Sequence, residues 1–271
     1  MARLVDRTIL IVGASSGIGA QVARDVAGHG NRVAVVARRA AELAAVAADV
    51  RAAGSPCLDI VADALDPVAA AAVVARVAAE FGTVDVALLN AGQGPDMAMA
   101  EAGVADVARV MALNYDVTVN YLVPLIAQLR RQGGGLIAQT NSLAGLMGIP
   151  RQGPYSAAKA AVRTLLDAAR VELAPEGIRF TSLYPGFVAT ARVSADGLPK
   201  PFQISEKQAA RHVVRALRRE PANASFPWTT SALVRFLRVL PAPVSGAVLR
   251  KLAGRREPDG LRAAGRRSRG A

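Results

Sequence analysis

A doubly wound parallel α/β sheet flanked by helices, in a single domain, is the fold this sequence predicts, on three observations. Short β-rich runs alternate with helical segments from Thr8 to Tyr184, the order of a parallel sheet with crossover helices. The first run, Thr8–Val12, leads at once into Gly13-Ala14-Ser15-Ser16-Gly17-Ile18-Gly19 and a helical stretch to Ala27. That order gathers backbone N–H groups and a helix N-terminus at one point. Hydrophobic residues make up 52% of the chain and aromatics only 4%, a composition suited to alanine- and valine-rich helices packed closely on buried strands.

The elements follow in sequence. Asn31–Ala37 is the second strand and ends at Arg38-Arg39; Ala40–Ala53 is a helix closed by Gly54, glycine being the usual residue past a helix C-terminus. Cys57–Ala62 is the third strand, followed by Asp63-Ala64, and Pro67–Phe81 is a helix with proline in its first turn. Val84–Leu89, the fourth strand, leads into Asn90-Ala91-Gly92. Val104–Arg131 reads as one long helix with Asn114 partway along it, an awkward residue there because its side chain competes for backbone partners. Three glycines, Gly133 to Gly135, turn the chain into a fifth strand around Leu136-Ile137-Ala138. A helix over Pro154–Ala174 and a sixth strand over Ile178–Tyr184 follow. Beyond Val193 the pattern loosens into a loop over Ala195–Phe202, a helix from Ser205-Glu206 to Arg219, and an edge strand over Asn223–Phe226. Two amphipathic segments, Thr230–Leu240 and Val244–Ala253, close the regular part.

The chemistry gathers between Gln139 and Ala169. Tyr155 and Lys159 are four apart on a helix, so their side chains leave the same face. An ammonium beside a phenol favours phenolate, lowering a pKa that is otherwise about 10. Ser142, just past the fifth strand, offers a hydroxyl to the oxygen that Tyr155 would protonate. A Tyr-x-x-x-Lys pair alone is usually a solvated helix face, so its meaning rests on the motifs around it.

The totals bound the rest. The net charge is +12; six arginines from Arg255 onward against Glu257 and Asp259 leave +4 in the tail and +8 in the body. The tail reads as a solvated end, and no nucleic-acid partner is expected. The two amphipathic segments before it are expected to pack on the body or between subunits, with peripheral membrane contact the weaker reading. The single cysteine, Cys57, excludes an internal disulfide and reads as a core thiol. His29 and His212 are isolated, so no metal is expected. No apolar run reaches the length of a membrane span, and the residues after Thr8–Val12 do not form a signal-cleavage site; the expectation is a cytoplasmic protein.

Taken jointly, the motifs resemble the short-chain dehydrogenase/reductase family. Ser142, Tyr155 thirteen residues later and Lys159 four after that match its spacing, as does Gly13-x-x-x-Gly17-x-Gly19. Asn90-Ala91-Gly92 matches a further motif with Leu89 in place of its first Asn, and Val12 replaces the Thr that usually precedes the first glycine. Pro185-Gly186-Phe187-Val188-Ala189-Thr190 matches the family's P-G-x-V-x-T. The resemblance spans roughly Leu4 to Arg219 and implies a Rossmann-type fold with reversible hydride transfer between NADP(H) and a carbonyl or secondary alcohol.

It also implies residue roles. Tyr155 would be the acid/base, Ser142 would polarise the substrate oxygen, Lys159 would hold the ribose hydroxyls, and Asn114 would complete a proton path. Gly13, Ser15, Ser16, Gly17, Ile18 and Gly19 would hold the pyrophosphate. Asp63 and Ala64 would meet the adenine; Asn90, Ala91 and Gly92 would support the cofactor backbone; Pro185, Gly186, Val188 and Thr190 would flank the nicotinamide. Arg38 stands where an acidic residue would bind the NAD ribose, so NADP(H) is expected over NAD(H), with Arg39 a surface residue. Gln93, Leu143, Met147 and Phe187 are expected to line a largely apolar pocket for a ketone, alcohol or lipid-like substrate. The domain is expected to cover 1–254, with 1–193 the cofactor-binding and catalytic core, 194–254 a substrate loop and C-terminal helices, and 255–271 the basic tail. The resemblance implies a homodimer or homotetramer through the helices Val104–Arg131 and Pro154–Ala174. The alternative is a non-catalytic dinucleotide-sensing or interaction protein of the same fold.

Overall fold

A computed structural model describes residues 4–190 and 202–252, with Leu252 described by its backbone only. In chain order the elements are β1 (Thr8–Val12), α1 (Gly17–Val26), β2 (Arg32–Ala37), α2 (Ala40–Ala52), β3 (Cys57–Val61), α3 (Pro67–Phe81) and β4 (Val86–Leu89). Then come α4 (Val104–Met111), α5 (Val117–Gln132), β5 (Gly135–Thr140), α6 (Gly153–Glu172), β6 (Ile178–Pro185) and the two-residue strands β7 (Val188–Ala189) and β8 (Ile204–Ser205). The last are α7 (Glu206–Arg219), β9 (Asn223–Phe226), α8 (Trp228–Val239) and α9 (Ala242–Leu252).

Seven strands form one parallel sheet in the order β3-β2-β1-β4-β5-β6-β9. Burial on both faces explains why its strands read as continuous apolar runs. Successive side chains of β1 go to opposite faces. Ile9 and Ile11 join a core with α1, α2 and α7, while Leu10 and Val12 join a second core with α3, α5 and α6. The expected edge strand, Asn223–Phe226, is the sheet's outer strand and pairs with β6, Ser182 lying opposite Asn223. The small β7–β8 ladder carries no apolar alternation and has no counterpart in the sequence pattern. The loop expected over Ala195–Phe202, except for Phe202, and the basic tail lie outside the described residues.

The segment read as one helix is continuous from Val104 to Gln132, and by length and composition it could cross a bilayer. This corrects the expectation that no segment reaches that length. Its buried residues Tyr121, Leu122, Leu125 and Leu129 join the core against the sheet, as in the core helix of a globular domain. Between α4 and α5 its middle, Ala112–Asp116, is π-helical. An extra residue per turn there rotates Asn114 inward, where it is fully buried.

Candidate active site

The strand order reverses between β1 and β4, and the crevice beyond their carboxyl ends is the binding position in such sheets. The two loops that bound it touch. A Cβ on Gly13 would lie 2.7 Å from the Ala91 nitrogen, and one on Gly19 would lie 2.3 Å from the Gly13 carbonyl oxygen and 2.8 Å from Asn90 Nδ2. Gly13 and Gly17 also take positive φ of 87° and 61°, which glycine tolerates without strain. Asn90 locks the turn by donating from Nδ2 to the Gly13 carbonyl (3.1 Å), and its Oδ1 accepts from Thr140 Oγ1 (2.9 Å).

The start of α1 lacks the side-chain cap that closes α3 and α7. Asp66 caps α3 through the Val68 and Ala69 amides, and Ser205 with Gln208 forms a capping box on α7. Ser16, at the α1 N-cap, makes no such bond, so the first-turn N–H groups and the helix dipole face the crevice. Arg39 reaches over this turn, with Nη2 2.9 Å from Ser15 Oγ and 2.6 Å from Ser16 Oγ. Thr190 stands at its edge, its Cγ2 3.5 Å from where a Gly17 Cβ would be.

Ser142, Tyr155 and Lys159 are brought together on the far side of the crevice. The Ser142 hydroxyl hydrogen-bonds the Tyr155 phenol and accepts from the Ala144 amide at 3.1 Å. Lys159 is 2% exposed; its Nζ donates to the Thr140 carbonyl at 3.0 Å and lies 5.6 Å from the Tyr155 ring centroid. Burial pushes the ammonium down to about 8. The Tyr155 phenol is raised above its ordinary value, because loss of water outweighs the Ser142 hydrogen bond. This runs against the expectation of a phenol lowered by the neighbouring cation: partial loss of water around the half-buried Tyr155 sets the direction, while Lys159 beside it is fully buried.

Asn114 fixes the floor. Its Nδ2 donates to the Gln93 and Val110 carbonyls (2.7 and 2.9 Å), and its Oδ1 accepts from the Gln93 amide (3.0 Å). Its own carbonyl accepts from Thr118 Oγ1 at 3.1 Å. A Cβ on Gly92 would lie 2.8 Å from Asn114 Oδ1 and 3.1 Å from Lys159 Nζ, so this loop passes Asn114 and Lys159 only as glycine.

The remaining sequence-selected residues divide. Pro185 ends β6, Val188 is buried in the first core, and the Gly186 amide donates to the Phe226 carbonyl at 2.8 Å. Leu143 and Met147 join Leu146, Tyr184 and Val234 of α8 in one apolar cluster; Phe187 is half-buried between β6 and β7 and is not part of it. Arg38 Nη1 pairs with Asp63 Oδ2 at 3.7 Å, both half-exposed, and the Ala64 carbonyl accepts from Asn120. Cys57 is only half-buried, at the edge of the core, with its thiol pushed up to about 11 by burial.

Several residues that shape the site carried no sequence signal. Asn141, 1% exposed, donates to the Lys159 carbonyl (3.0 Å) and accepts from the Ser142 amide (2.8 Å). Gly94 lies against the Tyr155 ring, which a Cβ there would meet at 3.3 Å. Asp96 makes a two-point ion pair with Arg151 (2.6 and 2.9 Å), and the Met97 amide donates to the Arg151 carbonyl at 2.7 Å. Arg39 is at the surface, as expected, and from there also bridges both serines of the glycine turn.

An uncapped helix start, glycines where a Cβ would strike backbone, and guanidinium groups beside the turn fit a dinucleotide's pyrophosphate. Fold and site together define a nicotinamide-dinucleotide-binding oxidoreductase. The sequence model for short chain dehydrogenase matches residues 7–198. An "uncharacterized oxidoreductase" of Myxococcus xanthus is 31% identical over 252 residues, 93% of this chain and all of the relative. Cis-4-hydroxycyclohexanecarboxylate dehydrogenase of Sinomonas cyclohexanicum is 36% identical over 217 residues, 79% of this chain and 84% of that one. Among solved structures, a short-chain type dehydrogenase/reductase from Mycobacterium marinum superposes with a TM-score of 0.76 at 28% identity, covering 82% of this chain and 94% of the other. The chain belongs to the short-chain dehydrogenase/reductase family, NAD(P)-dependent enzymes acting on CH–OH or C=O groups.

Proposed function

We propose that this enzyme interconverts an apolar ketone and its secondary alcohol with NADP(H), using Tyr155 as acid/base. The observation that carries this reading is the hydrogen bond between the half-buried Ser142 and Tyr155 at the crevice, with Lys159 fully buried one helical turn away. The bound nicotinamide supplies or accepts the hydride. In the reducing direction Tyr155 gives its proton to the carbonyl oxygen, and Ser142 donates a hydrogen bond to the same oxygen as charge builds on it. Lys159, with its pKa lowered to about 8, can hold or release a proton near neutrality, and Asn114 keeps the Gln93 backbone in place beside it. Leu143, Met147, Tyr184 and Val234 give the pocket an apolar wall, in keeping with a ketone, alcohol or lipid-like substrate.

The preference for NADP(H) rests on the end of β2, where the chain carries Arg38 and Arg39 in place of an acidic residue, their partners Asp63 and Glu42 coming from beyond the strand end. A charge-assisted bond from a guanidinium to the 2′-phosphate is worth about 1.5–3 kcal/mol, roughly tenfold or more in affinity. Val104, Val123 and Val171 are exposed on α4, α5 and α6, which supports a homodimer or homotetramer through those helices.

A panel of ketones and alcohols followed by NADPH absorbance tests the reaction. Tyr155→Phe should abolish turnover while leaving NADPH binding intact. Near-normal turnover in that variant would remove Tyr155 from the mechanism. Equal affinity of the wild type for NADPH and NADH would refute the cofactor preference.

A further inference from the structure

Helix α8 presents two faces. Thr230, Ser231, Val234 and Leu237 are buried, and Val234 packs on Leu143 and Tyr184. The opposite face carries large apolar side chains in water: Trp228 is 78% exposed, Phe236 59% and Val239 79%. At 3.6 residues per turn these three and Ala232 fall within a sector of about 80°, with Arg235 and Arg238 along one flank. Single exposed hydrophobic residues are ordinary; several on one helix face mark an interaction surface.

The helix after it continues the pattern. From Ala242 to Lys251 no side chain of α9 is buried, and Val244 is 48% exposed. Between Trp228 and Leu252 the chain has Arg235, Arg238, Arg250 and Lys251 and not one acidic residue. The sequence from Arg255 onward adds a net +4. The sequence pattern favoured packing of these segments on the body, but only one face of α8 packs there.

We infer that the outer face of α8, with α9, is a docking surface for an anionic lipid bilayer. Tryptophan and phenylalanine lie at the level of the acyl–headgroup boundary, and arginines at that depth meet lipid phosphates. The absence of acidic residues from the segment matches that negative surface and leaves a second copy of the same basic face a repelled partner. Each arginine near an anionic bilayer strengthens binding about fivefold.

The single tryptophan of the chain, Trp228, reports the event without any turnover, so the outcome does not depend on the catalytic reading. The full-length protein is sedimented with vesicles of equal parts phosphatidylcholine and phosphatidylglycerol, and with phosphatidylcholine alone, while tryptophan emission is recorded. Binding to the anionic vesicles only, a blue shift of Trp228, and weakening by salt are expected. The Arg235→Gln/Arg238→Gln double variant should bind about 25-fold more weakly. Phe236→Asp/Val239→Asp should not bind, and melting curves check that these exposed changes leave the fold intact. No sedimentation of the wild type at low salt would overturn the inference, as would binding that survives both double variants. A blue shift that grows with protein concentration in the absence of vesicles would assign the face to a second copy instead and likewise overturn it.

Discussion

Lys159→Met isolates the cost of holding an ammonium in a dry site. The lysine is 2% exposed and its pKa falls from an ordinary 10.5 to about 8, a difference worth about 3 kcal/mol. The sign follows from linkage: the folded protein binds fewer protons than the unfolded chain between the two values, so stability rises with pH across that window. Below pH 8 the penalty is fully present; above 10.5 it is gone. Methionine spans a similar length without a charge. It forgoes the bond to the Thr140 carbonyl, worth about 1 kcal/mol, yet that carbonyl keeps Gln139 Nε2 as a donor at 2.9 Å. The cofactor-free variant should therefore be inactive but about 2 kcal/mol more stable at neutral pH. Its advantage should shrink by about 3 kcal/mol as the pH passes from below the folded to above the unfolded value. Urea unfolding of both proteins across that range, at one protein concentration, measures it. A variant less stable at neutral pH, with a difference that does not vary with pH, would refute the reasoning.

Other expectations concern backbone approach, the pocket wall and the thiol. Gly19→Ala places a methyl 2.3 Å from the Gly13 carbonyl oxygen; overpacking of about 1–3 kcal/mol should appear in urea unfolding, with NADPH affinity lost as the turn shifts. Asp96→Asn removes the charge that holds Arg151 beside the Tyr155 loop. Steady-state kinetics should show KM rising more than kcat falls; an unchanged KM would exclude the Asp96–Arg151 pair from the pocket. Cys57, with its thiol raised from 9.0 to about 11, carries a thiolate fraction about a hundredfold below that of an ordinary cysteine at mildly alkaline pH. Alkylation by iodoacetamide should be slowed accordingly, and reaction at the rate of a small-molecule thiol would show the burial to be overstated.

Patterns that repeat along the chain were legible without a structure. The strand–helix alternation, the glycine spacing after β1, and the Ser142–Tyr155–Lys159 interval each depend on local geometry: a pleat, a turn and one helical turn. The order of the seven strands and the crevice at its reversal came only from the tertiary pairing of the strands. Tertiary structure alone also decided the effects of burial and of distant partners. The same Tyr155 and Lys159 that sequence spacing places together are shifted by dehydration, because the water lost around them depends on elements far away in the chain. Asn114 read as a misfit for a helix, and its misfit is the π-turn that buries it. Asp96 and Arg151, 55 residues apart, and Arg39 on Ser15 and Ser16 meet only once the sheet is formed. On α8, sequence periodicity marked an amphipathic helix, but which face packs was settled by Leu143 and Tyr184 on other elements. Local patterns are written in neighbours along the chain; charge, exposure and contact belong to neighbours in space.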